Sequence, residues 1–137
     1  MWIIFALSSA VFAALATIFI KAGLGGVDSN LATAVRTAIV LVFASIIALA
    51  TMKPGAVAAV GHRNWLFLVL SGIATGASWL CYNKALQIGA ASKVMPVDKL
   101  SLVIGLVLAF IFLKEPAAPN VIIGAIIITI GTLVVIF

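Results

Sequence analysis

The chain has 137 residues, of which 66% are hydrophobic and 8% charged, and its mean hydropathy is +1.41. A soluble domain carries about one-quarter charged residues, so 8 Lys/Arg and 3 Asp/Glu cannot solvate this chain, and most of it must lie in lipid. The net charge of +5 does not point to nucleic acid, because the basic residues stand singly between apolar runs instead of forming a patch.

A bilayer core of about 30 Å needs roughly 20 apolar residues in a helix, and an unpaired strand would leave backbone groups unsatisfied in lipid. Long apolar runs therefore predict membrane-spanning helices. The first covers about 2–20, carries no charge, and closes with Lys21 and the breaker stretch Gly23-Leu24-Gly25-Gly26. Asp28, Ser29 and Asn30 supply caps for a second helix over about 31–52, which contains one charge, Arg36, and is stopped by Lys53-Pro54-Gly55. The loop that follows carries His62 and Arg63.

A third helix is predicted over about 65–83 or a turn beyond, with Trp65 at one end and Trp79 and Tyr82 towards the other, as interfacial aromatics should be. Lys84 and Lys93 bracket the next connection. The fourth helix, about 92–113, contains Pro96, Asp98 and Lys99 and ends at Lys114-Glu115-Pro116; the fifth fills 119–137 without a charge. The expected architecture is an all-α membrane protein, one domain of five transmembrane helices over 1–137. The Ala14-Leu15-Ala16 segment resembles a signal cleavage site, but no Lys or Arg precedes the apolar run and the run is long enough to span, which favours an uncleaved helix.

Orientation follows the Lys/Arg bias of short loops. One face carries Lys53, Arg63 and Lys114, the other Lys21, Lys84 and Lys93. This near tie predicts weak orientation or insertion both ways, with Arg36 and Lys99 tilting the second face towards the cytoplasm.

Enzyme chemistry has little support. His62 has no second His, Cys or acid at ligand spacing, Cys81 stands alone in an apolar run, and the glycines at 23–26 lack the Lys-Ser/Thr of a phosphate loop. No Ser or Thr has an evident base beside it. The expectation is a non-enzyme with no metal and no cofactor.

A few costly residues remain. Even on lenient scales, a charge at the membrane centre costs about 2.5 kcal/mol or more, so such groups face a cavity or a partner. Arg36 lies more than a turn inside the second helix. It is open to two readings, a cation lining a substrate path or a side chain snorkelling to the headgroups.

Asp98 and Lys99 have two readings as well. If Pro96 starts the helix, Asp98 is a stabilising first-turn acid. Yet Leu100 to Leu113 covers only about 20 Å, too short to span alone, so part of 94–99 lies at membrane depth with Pro96 kinking or breaking the helix. Broken helices expose backbone where solutes bind, and Asp98 is the acid to expect if a carboxylate couples transport to protons. In the third helix Ser71, Thr75, Ser78 and Tyr82 share a stripe, Trp79 and Asn83 add polar contacts, and Gly72 and Gly76 form a GxxxG.

Taken in order, Ala34-Val35-Arg36, Tyr82-Asn-Lys-Ala85-Leu86, Pro96 with Asp98-Lys99-Leu100-Ser101, Leu113-Lys114-Glu115 and the Gly124…Gly131 helix resemble one EamA domain of the drug/metabolite transporter superfamily, over nearly the whole chain. Lys21 fits the family's habit of a Lys at the end of the first helix. The resemblance implies a multi-pass protein of a prokaryotic inner membrane that moves small polar metabolites or drug-like solutes by alternating access. It further implies that an unfused domain pairs with an inverted second copy around a cavity lined chiefly by the first four helices.

The expected site residues are Lys21, Arg36, Trp79, Tyr82, Asn83, Asp98, Lys99 and Ser101. Expected partners are the lipid bilayer, that second copy and a small-molecule substrate, and no nucleic acid. Small multidrug exporters of the superfamily carry an acid in the middle of the first helix; this chain has none, which leaves Asp98 as the replacement. The alternative is a non-transporting membrane subunit, such as half of a lipid flippase or an assembly protein.

Overall fold

The computed structural model describes residues 1–116 and 118–137. Among them, five segments are long and apolar enough to cross a membrane: Trp2–Gly23, Ser29–Thr51, His62–Ile88, Ala91–Leu113 and Pro119–Ile136. Helices dominate because only a helix pairs its backbone polar groups internally when lipid offers no partners. The protein is thus an integral, multi-pass, all-α membrane protein. It divides into two compact units, Met1–Gln87 and Ile88–Phe137, each described by itself below.

In the first unit, α1 (Trp2–Gly23), α2 (Ser29–Thr51) and α3 (His62–Ile88) follow in order. Each is longer than the apolar run that announced it. Lys21 lies in the last turn of α1, where a cation is favoured by the negative end of the helix. Gly26, with φ of 76°, makes the turn to α2, a left-handed conformation that glycine adopts without steric cost. Asp28 then caps α2, its carboxylate accepting from the N–H groups of Asn30 (2.9 Å) and Leu31 (3.1 Å).

The loop expected around His62 and Arg63 is instead the first turn of α3. Helix starts there because the Gly61 carbonyl accepts from the N–H groups of Asn64 and Trp65, and Arg63 lays its guanidinium 5.8 Å from the Phe67 ring one turn on. At the other end α3 runs past Asn83, with Lys84 donating to Gln87 at 3.0 Å within the helix. Lys84 belongs to this last part of α3, not to a loop.

Side-chain bonding between these three helices is concentrated near one end. Residues 1–15, 37–59 and 61–75 are all exposed. Of the GxxxG of α3, Gly72 belongs to this open portion and Gly76 is half-buried; a methyl group added at either would meet nothing within 4 Å, so neither glycine is in close contact with another helix in the described chain. Of the expected polar stripe, Thr75 bonds back to Ser71 O of its own helix at 2.9 Å.

The second unit begins with α4 (Ala91–Asp98), α5 (Leu100–Leu108) and a π-helical turn, Ala109–Leu113, which together form one span. Pro96 is inside α4, not at its start, and Asp98 is its last residue. The first-turn reading of Asp98 therefore gives way to the broken-helix one, since proline removes an interior backbone donor. Lys99 links the two segments with its N–H on the carbonyls of Pro96 and Val97. The π turn closes with Lys114 in the left-handed region, φ 53°. Pro119 opens α6 (Pro119–Ile136) at the first position, where a missing N–H costs nothing.

Thr132 of α6 is buried and donates to the Pro96 carbonyl at 3.1 Å, tying α6 to the broken helix. Thr132→Val keeps shape and removes this bond. A destabilisation of about 0.6 kcal/mol is expected, the average for a polar contact between membrane helices, read as a lowered unfolding midpoint in detergent.

Candidate functional site

The last two turns of α3 organise the polar residues of the first unit. Trp79, Asn83 and Gln87 are spaced by four and form one stripe; Tyr82 and Leu86 form the neighbouring stripe. The first stripe meets α2 and the turn before it, in antiparallel order. Trp79 holds the Arg36 guanidinium 4.6 Å from its ring centroid. One turn further, Asn83 Nδ2 donates to Thr33 Oγ1 at 2.7 Å, and Gln87 Nε2 donates to the Val27 carbonyl at 2.9 Å.

The second stripe meets α1 in parallel order. Thr17 Oγ1 lies 3.0 Å from the Tyr82 hydroxyl and 2.9 Å from the Ala13 carbonyl. A hydroxyl has one proton, so with Thr17 donating to Ala13, Tyr82 donates to Thr17. Lys21 Nζ donates to the Leu86 carbonyl.

The same proton count orients the buried amide. Thr33 Oγ1 donates to the Ser29 carbonyl at 2.7 Å, so it accepts from Asn83, and Asn83 Oδ1 must point elsewhere. Asn83 is fully buried; its Oδ1 and Ser29 Oγ have no hydrogen-bond partner among the described residues. A buried polar atom without a partner costs about 1–3 kcal/mol.

Arg36 is half-buried and lies seven residues inside α2, about 10 Å from its start at 1.5 Å per residue. Its guanidinium lies against a ring from α3, that of Trp79. The acid of this unit, Asp28, is spent on capping α2, so no carboxylate neutralises Arg36 within the unit.

Arg36 also borders a hollow of about 380 Å³ whose other walls are apolar, among them Ile20, Val27, Leu31, Val35 and Ile39. The structure thus brings together Lys21, Arg36, Trp79, Tyr82 and Asn83 in the first unit. Asp98, Lys99 and Ser101 fall in the second unit at the helix break, where Asp98 Oδ2 and Lys99 Nζ are 3.8 Å apart and both side chains are partly exposed. Exposed pairs of this kind contribute little to stability. Ser101 is exposed in the first turn of α5.

Sequence reasoning missed Thr33, Thr17 and Gln87 as members of the cluster. The signal was present. Thr33 precedes Arg36 by three, Thr17 precedes Lys21 by four and Gln87 follows Asn83 by four, the spacings at which residues share a helix face.

Polar residues thus link three membrane helices beside Arg36, a cation without a carboxylate partner in its unit. The chain matches the model of the EamA-like transporter family over residues 1–137. It is 45% identical over 114 residues to the Sinorhizobium sp protein named "Uncharacterized transporter in cobO 3'region", a stretch covering 83% of this chain and 81% of that one. No solved structure matches it. With helices, polar cluster and full-length match in agreement, the chain belongs to the EamA-like transporter family.

Proposed function

We propose that this membrane transporter moves small polar metabolites or drug-like solutes by alternating access and works as an antiparallel homodimer. The observation that carries the reading is Arg36, a cation about two turns inside a membrane helix, seated on Trp79 and without a carboxylate in its unit. A charge in that position costs more than its ring contact returns, since a cation–π contact is worth about 0.5–2 kcal/mol. Stability therefore gives no reason to keep it, and solute binding does.

Lys21, Tyr82 and Asn83 extend the polar wall around it. At the helix break in the second unit, Asp98 is the proton carrier, with Lys99 modulating its charge and Ser101 presenting a hydroxyl to the solute. Pairing with an inverted copy rests on the near-even loop charges, which favour neither orientation, and on the exposed apolar lengths of α1 to α3. The location follows from the same reasoning: a prokaryotic inner membrane, entered in both orientations.

Reporters active on one side only, fused to the C-terminus, are expected to give signal on both sides. A single orientation would overturn the antiparallel pair. In liposomes, Asp98→Asn should abolish proton-driven uptake while leaving the amount of inserted protein unchanged. Retained proton dependence would remove Asp98 from the mechanism.

A further inference from the structure

We propose that the hollow between α1 and α2 binds a small organic anion with an apolar body, its anionic group on Arg36. The inference rests on the transporter reading above and names the class of solute at that site.

Arg36 is the charged residue on a wall otherwise built from side chains such as Ile20, Leu31, Val35 and Ile39. Trp79 occupies one face of the guanidinium. It leaves the edge, where the N–H groups point, for the planar two-point contact that arginine makes with carboxylate and phosphate. Within the unit no side chain supplies that contact, because Asp28 is committed to the N–H groups of Asn30 and Leu31.

The apolar walls then set the rest of the molecule. A hydrocarbon or aromatic body gains by leaving water, whereas a polyhydroxylated anion would lose its hydration there without replacement. An organic amine would bring a second cation against Arg36 and is excluded. Size narrows the class further. About 380 Å³ lies in the range of small-ligand sites and suits a free solute, the source to which the proposal commits; a lipid headgroup on Arg36 is an outcome of the test.

The test uses the intact chain in neutral detergent with three probes of one shape: phenylbutyrate, its neutral amide and phenylbutylamine. Phenylbutyrate should bind at least about tenfold more tightly than the amide, the scale of a charge-assisted hydrogen bond over a neutral one, and the amine weakest. Arg36→Gln should erase the preference for the carboxylate and Arg36→Lys should keep part of it. Ile39→Trp, which fills the hollow and leaves the charge, should weaken all three probes alike.

Equal affinities in the native chain, or a carboxylate preference that survives Arg36→Gln, would overturn the proposal. Displacement of phenylbutyrate by phosphatidylglycerol but not phosphatidylcholine would overturn the free solute in favour of a headgroup. Counterflow in phosphatidylcholine liposomes separates the two levels. Carboxylate-selective binding without flux supports the anion site and sinks the transporter reading, whereas flux of other solutes without that selectivity sinks the anion site and leaves the transporter.

Discussion

Arg36→Leu is expected to lower transport at least tenfold while leaving the chain as stable as before or more so. The opposite signs come from the two roles of one charge. Removing a guanidinium from membrane depth relieves a penalty of about 2.5 kcal/mol on the lenient insertion scale. Removing its cation–π interaction with Trp79 offsets about 0.5–2 kcal/mol of that relief, and leucine is as good a helix former as arginine.

A merely structural Arg36 would behave differently, with stability and expression falling together and any flux loss following from them. Flux per inserted molecule and the detergent unfolding midpoint, measured on the same preparation, separate the cases. Transport retained by the variant would take Arg36 out of the solute path. Trp79→Leu provides the companion result: the cation keeps its charge but is no longer placed by the ring, so flux should fall less than in Arg36→Leu.

The second large effect concerns the buried pair at the junction of α2 and α3. Thr33→Val is expected to destabilise the chain by about 1–2 kcal/mol, and Asn83→Leu by less. Valine keeps the shape of Thr33 but removes the acceptor of Asn83 Nδ2, and Oδ1 already lacks a partner. A fully buried amide would then be unpaired at both ends, which carries its whole desolvation penalty. Asn83→Leu removes the amide altogether, and Thr33 still donates to Ser29 O, so little is left unsatisfied.

In the double variant Thr33→Val/Asn83→Leu the cost should return to that of Asn83→Leu alone. Such non-additivity is expected of residues in direct contact. Additive costs in that cycle, read from SDS unfolding, would mean that the bond contributes nothing to holding the helices.

Much of this molecule could be read without coordinates, for a reason peculiar to lipid. A spanning helix pairs its backbone within itself, so its existence depends on local composition, and each of the five apolar runs became a span. The ends were less legible. Runs of apolar residues mark the buried length, while helices continue into water through residues such as His62, Arg63 and Lys84, whose polarity resembles that of a loop. Pro96 and the shortness of the uncharged stretch after it foretold the break now seen at Lys99, because a missing N–H is a local property too.

Side-chain partners followed other rules. Cost alone singled out Arg36, and helical spacing placed Ser71, Thr75, Ser78 and Tyr82 on one stripe. Whether the guanidinium would meet lipid headgroups or a ring depended on how α2 and α3 are turned about their axes. Threonines became informative for the same reason: Thr17 and Thr33 share a helix face with Lys21 and Arg36, but only the packing of the helices decides that they accept hydrogen bonds from another helix whereas Thr75 bonds to its own. The glycines at 72 and 76 show the converse, a packing motif that meets no other helix in the described chain.

The sequence by itself therefore determined that this is a five-span helical membrane protein, where its spans lie and which charges lipid would penalise, since these are sums over neighbouring residues. Tertiary structure alone decided which of those charges has a protein partner, that Arg36 rests on Trp79 beside an apolar hollow, and that Asn83 is tied to Thr33 with one amide end unpaired. Those outcomes turn on helix rotation and proton direction between residues up to 50 positions apart, and no local sum contains them.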